Sequence, residues 1–279
     1  MIVRSPLVPS LALAAEIERS KIGYMSDRMT AIRSREGNPE GVEIRAFGQA
    51  VAFYSRTMPW PAFNTVKGLR NGDADALEDI LAFYNERGRR PQFEIVPGLA
   101  DTGLLRRLSE LGCELSGYHT SLYADPSTRS IPAGSALGEP AGITVRELRE
   151  EEIELYATIH CRGTGLPDDG IRPVAANNRV LFGRPGWKIF LASVHESPAA
   201  VGVLHVKDGI ASCTFAATLP EYRNRGLQQL LLKRRLEEAA AQGCRLAVSQ
   251  CAYASQSHRN MERVGMKIGY IRSSWTARN

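Results

Sequence analysis

The chain has 279 residues, 43% of them hydrophobic and 23% charged, with a formal net charge of +5. That length accommodates two hydrophobic cores, and a composition without charge blocks or low-complexity tracts excludes disordered, fibrous and collagen-like classes. Cysteines at 113, 161, 213, 244 and 251 show no Cys-x-x-Cys spacing, which argues against a zinc site or disulfide framework and for a reducing compartment.

Arg4 followed by the apolar run Leu7–Ala15 has the outline of a signal peptide. Pro6 and Pro9 interrupt it, however, and an amphipathic pattern continues through Ile17, Ile22 and Met25. The reading is a helix of the mature protein, capped by Ser10. No stretch approaches the ~20 apolar residues of a membrane span, so a cytoplasmic protein with no membrane partner is expected.

From Gly41 to Ala124 the pattern is strand, strand, strand, helix, strand, helix, strand. The strands are expected over Val42–Phe47, Ala50–Ser55, Asn64–Leu69, Gln92–Val96 and Glu114–Tyr123, and the helices over Ala74–Glu86 and Thr102–Leu111. Residues 126–142 are rich in Pro, Gly and Ser, lack an apolar period, and read as a linker between domains. Beyond it strands are expected over Ile143–Glu147, Lys188–Val194, Ala200–Val206, Ile210–Thr218, Arg245–Cys251 and Lys267–Trp275. Both halves end alike, Gly112–Tyr118 against Gly265–Tyr270, and the shared order suggests an internal duplication. The expected domains are 1–125, the linker 126–142, and 143–279.

The stretch that carries chemistry is Thr218–Gly243. Pro220 ends a strand, and Leu227–Gln242 is composed almost wholly of strong helix formers, stopped by Gly243. Between them lies Arg223-Asn224-Arg225-Gly226. The first turn of a helix leaves backbone N–H groups without partners and carries partial positive charge, so a loop that gathers these donors binds phosphate. Gly226 lets the backbone approach closely, and Arg223 and Arg225 add full charges. The competing reading is an ordinary strand-to-helix turn with solvated arginines. In the first half the equivalent turn, Leu69–Asp75, has no Arg-x-x-Gly, and Asp73 and Asp75 would repel phosphate.

Arg223-x-x-Gly226-x-Gln228, preceded by Pro220-Glu221-Tyr222, resembles the acyl-CoA pyrophosphate loop of the GNAT superfamily of N-acyltransferases. Ser257–Met266 is similar to the helix and ending that follow the fifth strand in that family. The resemblance covers 143–279 and is faint before it. It implies an α+β fold, a mixed and mostly antiparallel sheet flanked by helices, in two GNAT-like domains in tandem, the first a degenerate copy without a cofactor loop. It implies acetyl-CoA as co-substrate, held by Arg223, Asn224, Arg225, Gly226, Leu227 and Gln228, with Asn260 and Arg263 from the last helix. A backbone N–H of Ala216, Ala217 or Thr218 would polarise the thioester. Gln228 departs from the small residue usual there, and Met261 stands where many members carry a tyrosine that protonates the leaving thiolate. Ser257 is therefore the candidate acid, the alternatives being that it is only a helix N-cap or that Tyr253, the nearest phenol in sequence, serves.

From Leu219 onward there are eleven Lys/Arg against four Glu, a net +7, which suits a polyanionic ligand such as 3′-phospho-ADP. Aromatics do not interleave this stretch and no nucleic-acid module is present, which counts against a nucleic-acid partner. Lys233, Arg234 and Arg235 read as a solvated helix face, His205 as a core histidine, and His160-Cys161 as a helix-end pair. Asp168-Asp169 reads as a solvated turn or as carboxylates near an amine pocket. No Asp or Glu lies in 210–218, so the base would be a water chain. The function expected is acetyl transfer from acetyl-CoA to a small-molecule or peptide amine. The alternative is an acyl-CoA-binding regulatory or scaffolding module without turnover, and exchange of elements in a homodimer stays open.

Overall fold

Short apolar strands alternate with helices throughout the computed structural model, which describes residues 7–127 and 142–278. The chain divides into two units, one formed by Met1–Ser121 with Ile268–Asn279, the other by Leu122–Lys267. Most of the expected linker, residues 128–141, lies outside the described residues.

The first unit opens with α1 (Leu11–Arg33), whose N-cap is Ser10, its Oγ accepting from Leu13 N at 3.1 Å. Then come β1 (Val42–Phe47), β2 (Ala50–Ser55), β3 (Thr65–Lys67), α2 (Ala76–Asn85), β4 (Gln92–Ile95), α3 (Thr102–Glu110) and β5 (Cys113–Ala124). β1, β2 and β3 pair antiparallel, and β3 pairs parallel with β4. A parallel pair needs a crossover, and α2 supplies it. Phe83, Tyr84, Phe93, Leu104 and Leu108 form the core.

The last strand, β11 (Lys267–Ala277), belongs here too. It pairs antiparallel with β4, from Ser273↔Ile95 to Thr276↔Gln92, and Ser116 Oγ of β5 donates to Ser274 O at 3.1 Å. This corrects the expected boundary of 143–279: the second domain gives up its C-terminal segment from Ile268 onward. Tyr270, Arg272 and Ser274 are buried at every second position, the strand period. That alternation fixes a strand but says nothing about which sheet receives it.

Beneath this sheet lies a buried ionic cluster. Glu94 is bridged by Lys21 Nζ at 3.0 Å, Lys67 Nζ at 2.6 Å and Arg272 Nε at 3.1 Å, and Lys21 also meets Glu18 at 3.2 Å. Burial alone would raise the Glu94 carboxyl, but the charges of Lys21, Lys67 and Arg272 outweigh it and hold the group well below the usual carboxylate range. Burial pulls the Lys67 ammonium down to about 8.

The second unit contains β6 (Ile143–Glu147), α4 (Ile153–Thr164), α5 (Ile171–Arg179), β7 (Trp187–Val194), β8 (Ser197–Lys207), β9 (Ile210–Thr218), α6 (Leu227–Ala241), β10 (Leu246–Cys251) and α7 (Gln256–Arg263). β6 to β9 pair antiparallel in sequence order, and β10 returns parallel to β9 after the α6 crossover. Phe190, Leu204, Leu231, Leu232, Ala247 and Met261 belong to its core. The order β7-β8-β9-α6-β10-α7-β11 repeats β1-β2-β3-α2-β4-α3-β5. All five cysteines are free and buried. Among the described residues no helix is long and apolar enough to cross a membrane.

Candidate active site

The site begins where β9 leaves β10 and bulges against β8. Pairing with β10 runs from Ile210↔Leu246 to Cys213↔Ser249, although both strands continue. On the other side the β8 register shifts between Val201 and Val203, and Phe215 takes a left-handed φ of 43°. A bulge of this kind twists a strand away from its ladder and re-aims the residues beyond it. Those residues are Ala216, Ala217 and Thr218.

After β9 a short turn, Pro220–Tyr222, leads into the loop 223–226. Asn224 and Gly226 are both left-handed, with φ of 62° and 78°. Gly226 is the N-cap of the 15-residue helix α6, and no side chain caps that end. Leu230 N donates to Gly226 O at 3.1 Å, so the N–H groups of Leu227, Gln228 and Gln229 lie in the orphan first turn. Arg223 ties the loop to α4 by donating from Nη2 to Gly163 O at 3.0 Å.

The bulge, the loop and α7 enclose a cavity of about 570 Å³. Its lining includes Ala216, Ala217, Thr218, Arg223, Asn224, Gly226, Leu227, Gln228, Ser257, Asn260 and Arg263. This volume lies within the range of small-ligand sites. Across the cavity a chain of amides joins α6 to α7. Gln228 Nε2 donates to Ser257 Oγ at 2.9 Å, and Gln228 Oε1 accepts from Asn260 Nδ2 at 2.6 Å. Asn260 Oδ1 in turn accepts from Gln229 at 3.2 Å and from Arg263 Nη1 at 3.2 Å.

No family model matches the sequence, and no curated protein does. Solved structures do. A GCN5-related N-acetyltransferase from Kribbella flavida aligns with a TM-score of 0.71 at 19% identity, over 97% of this chain and 97% of that one. A GCN5-related N-acetyltransferase from Sphaerobacter thermophilus gives 0.62 at 16% identity, over 98% and 94%. A tandem GNAT protein from the clavulanic acid biosynthesis pathway gives 0.60 at 15%, over 92% and 94%.

The fold is that of the GNAT superfamily, in tandem.

On this GNAT scaffold Ser257 and every residue assigned to acetyl-CoA from sequence line the cavity except Arg225, whose guanidinium lies over the Tyr222 ring at 5.5 Å from its centroid; Tyr253, Asp168 and Asp169 are not in the lining. The Gln228 side chain is tied to Ser257 and Asn260 of α7. Ser257 is not the cap of α7. That role belongs to Ser255, whose Oγ accepts from His258 N at 3.1 Å, which leaves Ser257 as the second residue of the helix, facing Gln228. Met261 is 4% exposed and packed in the core, and Tyr253 is 61% exposed beside His258 at 5.3 Å between rings.

Of the remaining readings, that of Arg235 as part of a solvated helix face is corrected. Lys233 and Arg234 lie on the partly exposed side of α6, but Arg235 is 1% exposed. Leu227, Leu231, Arg235 and Ala239 are four residues apart and share the inward face, a spacing that the run of three cations obscures. Arg235 donates to three backbone carbonyls: Nε to Leu231 O at 3.0 Å, and Nη1 to Val203 O at 3.1 Å and to Thr214 O at 3.3 Å. Asp168 is held by Arg162 through two hydrogen bonds, 3.1 and 2.8 Å, which keep its carboxyl below the usual range. His205 is buried against Trp187, ring centroids 4.5 Å apart. His160 and Cys161 sit in α4, where burial raises the Cys161 thiol.

Sequence reasoning missed Gly163, Val201, Tyr222, Gln229, Leu231 and Gln256 in the cavity lining. For Gly163 the signal exists only in three dimensions: a Cβ there would lie 3.0 Å from Ala217 Cβ and from Thr218 O. In the first unit the corresponding turn is closed by its own carboxylate, since Arg70 N donates to Asp73 Oδ2 at 2.8 Å.

Proposed function

We propose that the second unit binds acetyl-CoA and transfers its acetyl group to an amine. The observation that carries this reading is the uncapped N-terminus of α6, opening on a cavity bounded on its far side by the bulged end of β9. The orphan N–H groups and helix dipole suit a pyrophosphate, and Gly226 leaves the approach clear, with no atom within 4 Å of where a Cβ would stand. Arg223 and Arg263 add positive charge to the same wall.

In this reading the acyl chain runs toward Ala216–Thr218, where a backbone N–H of the bulged strand hydrogen-bonds the thioester oxygen and stabilises the oxyanion as the amine attacks. The amine proton leaves to water, since β9 carries no carboxylate. As the tetrahedral intermediate collapses, the C–S bond breaks and the Ser257 hydroxyl delivers a proton to the sulfur, regaining one from solvent. Gln228 donates to Ser257 Oγ, which leaves the hydroxyl proton for that transfer.

The test is calorimetric titration with acetyl-CoA, followed by measurement of free thiol on incubation with a panel of amines. Saturable binding with amine-dependent CoA release supports the proposal. Binding with no release from any amine would leave an acyl-CoA-binding module without turnover.

A further inference from the structure

We propose that Arg235 is a positioning residue, whose buried guanidinium fixes the bulge of β9 against β8, where β9 parts from β10, and so sets where Ala216–Thr218 line the cavity. The inference rests on the acyl-CoA reading above and deepens it.

A strand that leaves its ladder inside a sheet strands its own carbonyls, and a buried carbonyl without a donor is costly. At the divergence point two successive carbonyls of β9 are taken by side chains instead. Ser249 Oγ, from β10, donates to Cys213 O at 2.9 Å. Arg235 Nη1, from α6, donates to Thr214 O at 3.3 Å and to Val203 O of β8 at 3.1 Å. The next residue, Phe215, is the one with the left-handed φ. One guanidinium nitrogen thus joins β8 and β9 beside their register shift, while Nε of the same planar group is fixed to α6 through Leu231 O at 3.0 Å.

β8 makes room for it. A Cβ on Gly202 would stand 3.0 Å from Arg235 Cζ and 3.2 Å from Nε. Among the described residues no carboxylate pairs with Arg235, and burial lowers its affinity for the proton. A lone buried cation is poor value for stability compared with an apolar side chain of similar size, so its use here is geometric. A lysine ammonium, a point charge with three rotatable donors on one atom, does not reproduce the rigid spacing between Nε at Leu231 O and Nη1 at Val203 O and Thr214 O.

The test uses the full chain carrying Arg235→Met, Arg235→Lys or Gly202→Ala, the last keeping the guanidinium but displacing it. Expected for Arg235→Met are faster hydrogen exchange at the Ala216–Thr218 amides, acetyl-CoA affinity close to wild type because the 223–226 loop is intact, and kcat lower by about 10²-fold, as for loss of an oxyanion donor. Arg235→Lys is expected to recover melting temperature but not kcat. Unchanged exchange and kcat in a merely less stable protein would overturn the proposal, as would equal losses of affinity and kcat. If Arg235→Met does not fold, Gly202→Ala gives the same readouts. If the wild type binds acetyl-CoA but releases no CoA with any amine, only the transferase reading fails. The infrared stretch of the bound thioester carbonyl then decides: lowered in wild type and relaxed in the variant supports the role of Arg235, and equal frequencies overturn it. Hydrogen exchange decides without any ligand.

Discussion

The side-chain amide of Gln228 donates to Ser257 Oγ at 2.9 Å, so the first turn of α6 and the first turn of α7 are joined across the cavity. This bond separates two serines that the sequence leaves indistinguishable. Ser255 caps α7, and Ser257 faces the site. Ser255→Ala is therefore expected to cost about 1 kcal/mol of stability with kcat nearly unchanged. Ser257→Ala is expected to leave the melting temperature close to wild type and lower kcat by ~10²-fold, at the lower end of general acid assistance. Stopped assays with saturating acetyl-CoA, beside thermal melts, compare the pair. Normal turnover in Ser257→Ala would remove it from the chemistry.

Gly226 offers a second comparison. Its φ of 78° is unfavourable for any side chain, yet space around the position is open. Gly226→Ala and Gly226→Asp thus share a backbone cost of about 1–2 kcal/mol, and only the aspartate places negative charge among the orphan donors. The expected outcome is weakened acetyl-CoA binding for alanine and none detectable for aspartate, with both proteins folded by circular dichroism. Equal affinities for the two variants would show that no phosphate sits there.

The same logic limits stoichiometry. In the first unit Asp73 occupies the backbone N–H of Arg70, and α2 carries Glu78 and Asp79 in its first turn. That helix end is already neutralised from within. Calorimetry is expected to give one acetyl-CoA per chain, and Gly226→Asp should abolish it. Two equivalent sites would contradict the assignment.

Local signals carried far in this sequence. Strand alternation and Gly or Pro punctuation gave β1, β2, β6 and β9 their ends, and the cradle was legible because Pro220, Gly226 and a long run of helix formers lie next to each other. What escaped depends on partners distant in sequence. β11 has the period of a strand, but its place beside β4 is decided by tertiary pairing. Arg235 reads as one of three surface cations until its four-residue spacing from Leu231 and Leu227 is set against the bulge it serves. Ser255 and Ser257 differ by two positions, about 200° around a helix, which is beyond what capping rules resolve.

The first unit should respond to acid through His119. Burial, reinforced by the positive charges of Arg272 and Lys21, pushes its imidazole down to about 4. In the unfolded chain the same group protonates near its ordinary value of about 6.5. Between those two values the unfolded state binds more protons than the folded one, so stability falls as pH drops from about 6.5 to about 4. A gap of roughly 2.5 pH units bounds the loss at about 3 kcal/mol. Glu94 acts in the same direction at lower pH, because its folded-state carboxyl is held well below the usual range and must be protonated for unfolding to gain. His119→Gln removes the first component and leaves the second. Urea midpoints measured at pH 7, 5.5 and 4, with hydrogen exchange locating the opening to residues of the first unit, are expected to fall steadily for the wild type. The variant is expected to hold its midpoint down to about pH 4.5 and then drop as Glu94 titrates. Parallel curves for the two proteins above that pH would mean that His119 is not the acid-sensitive group.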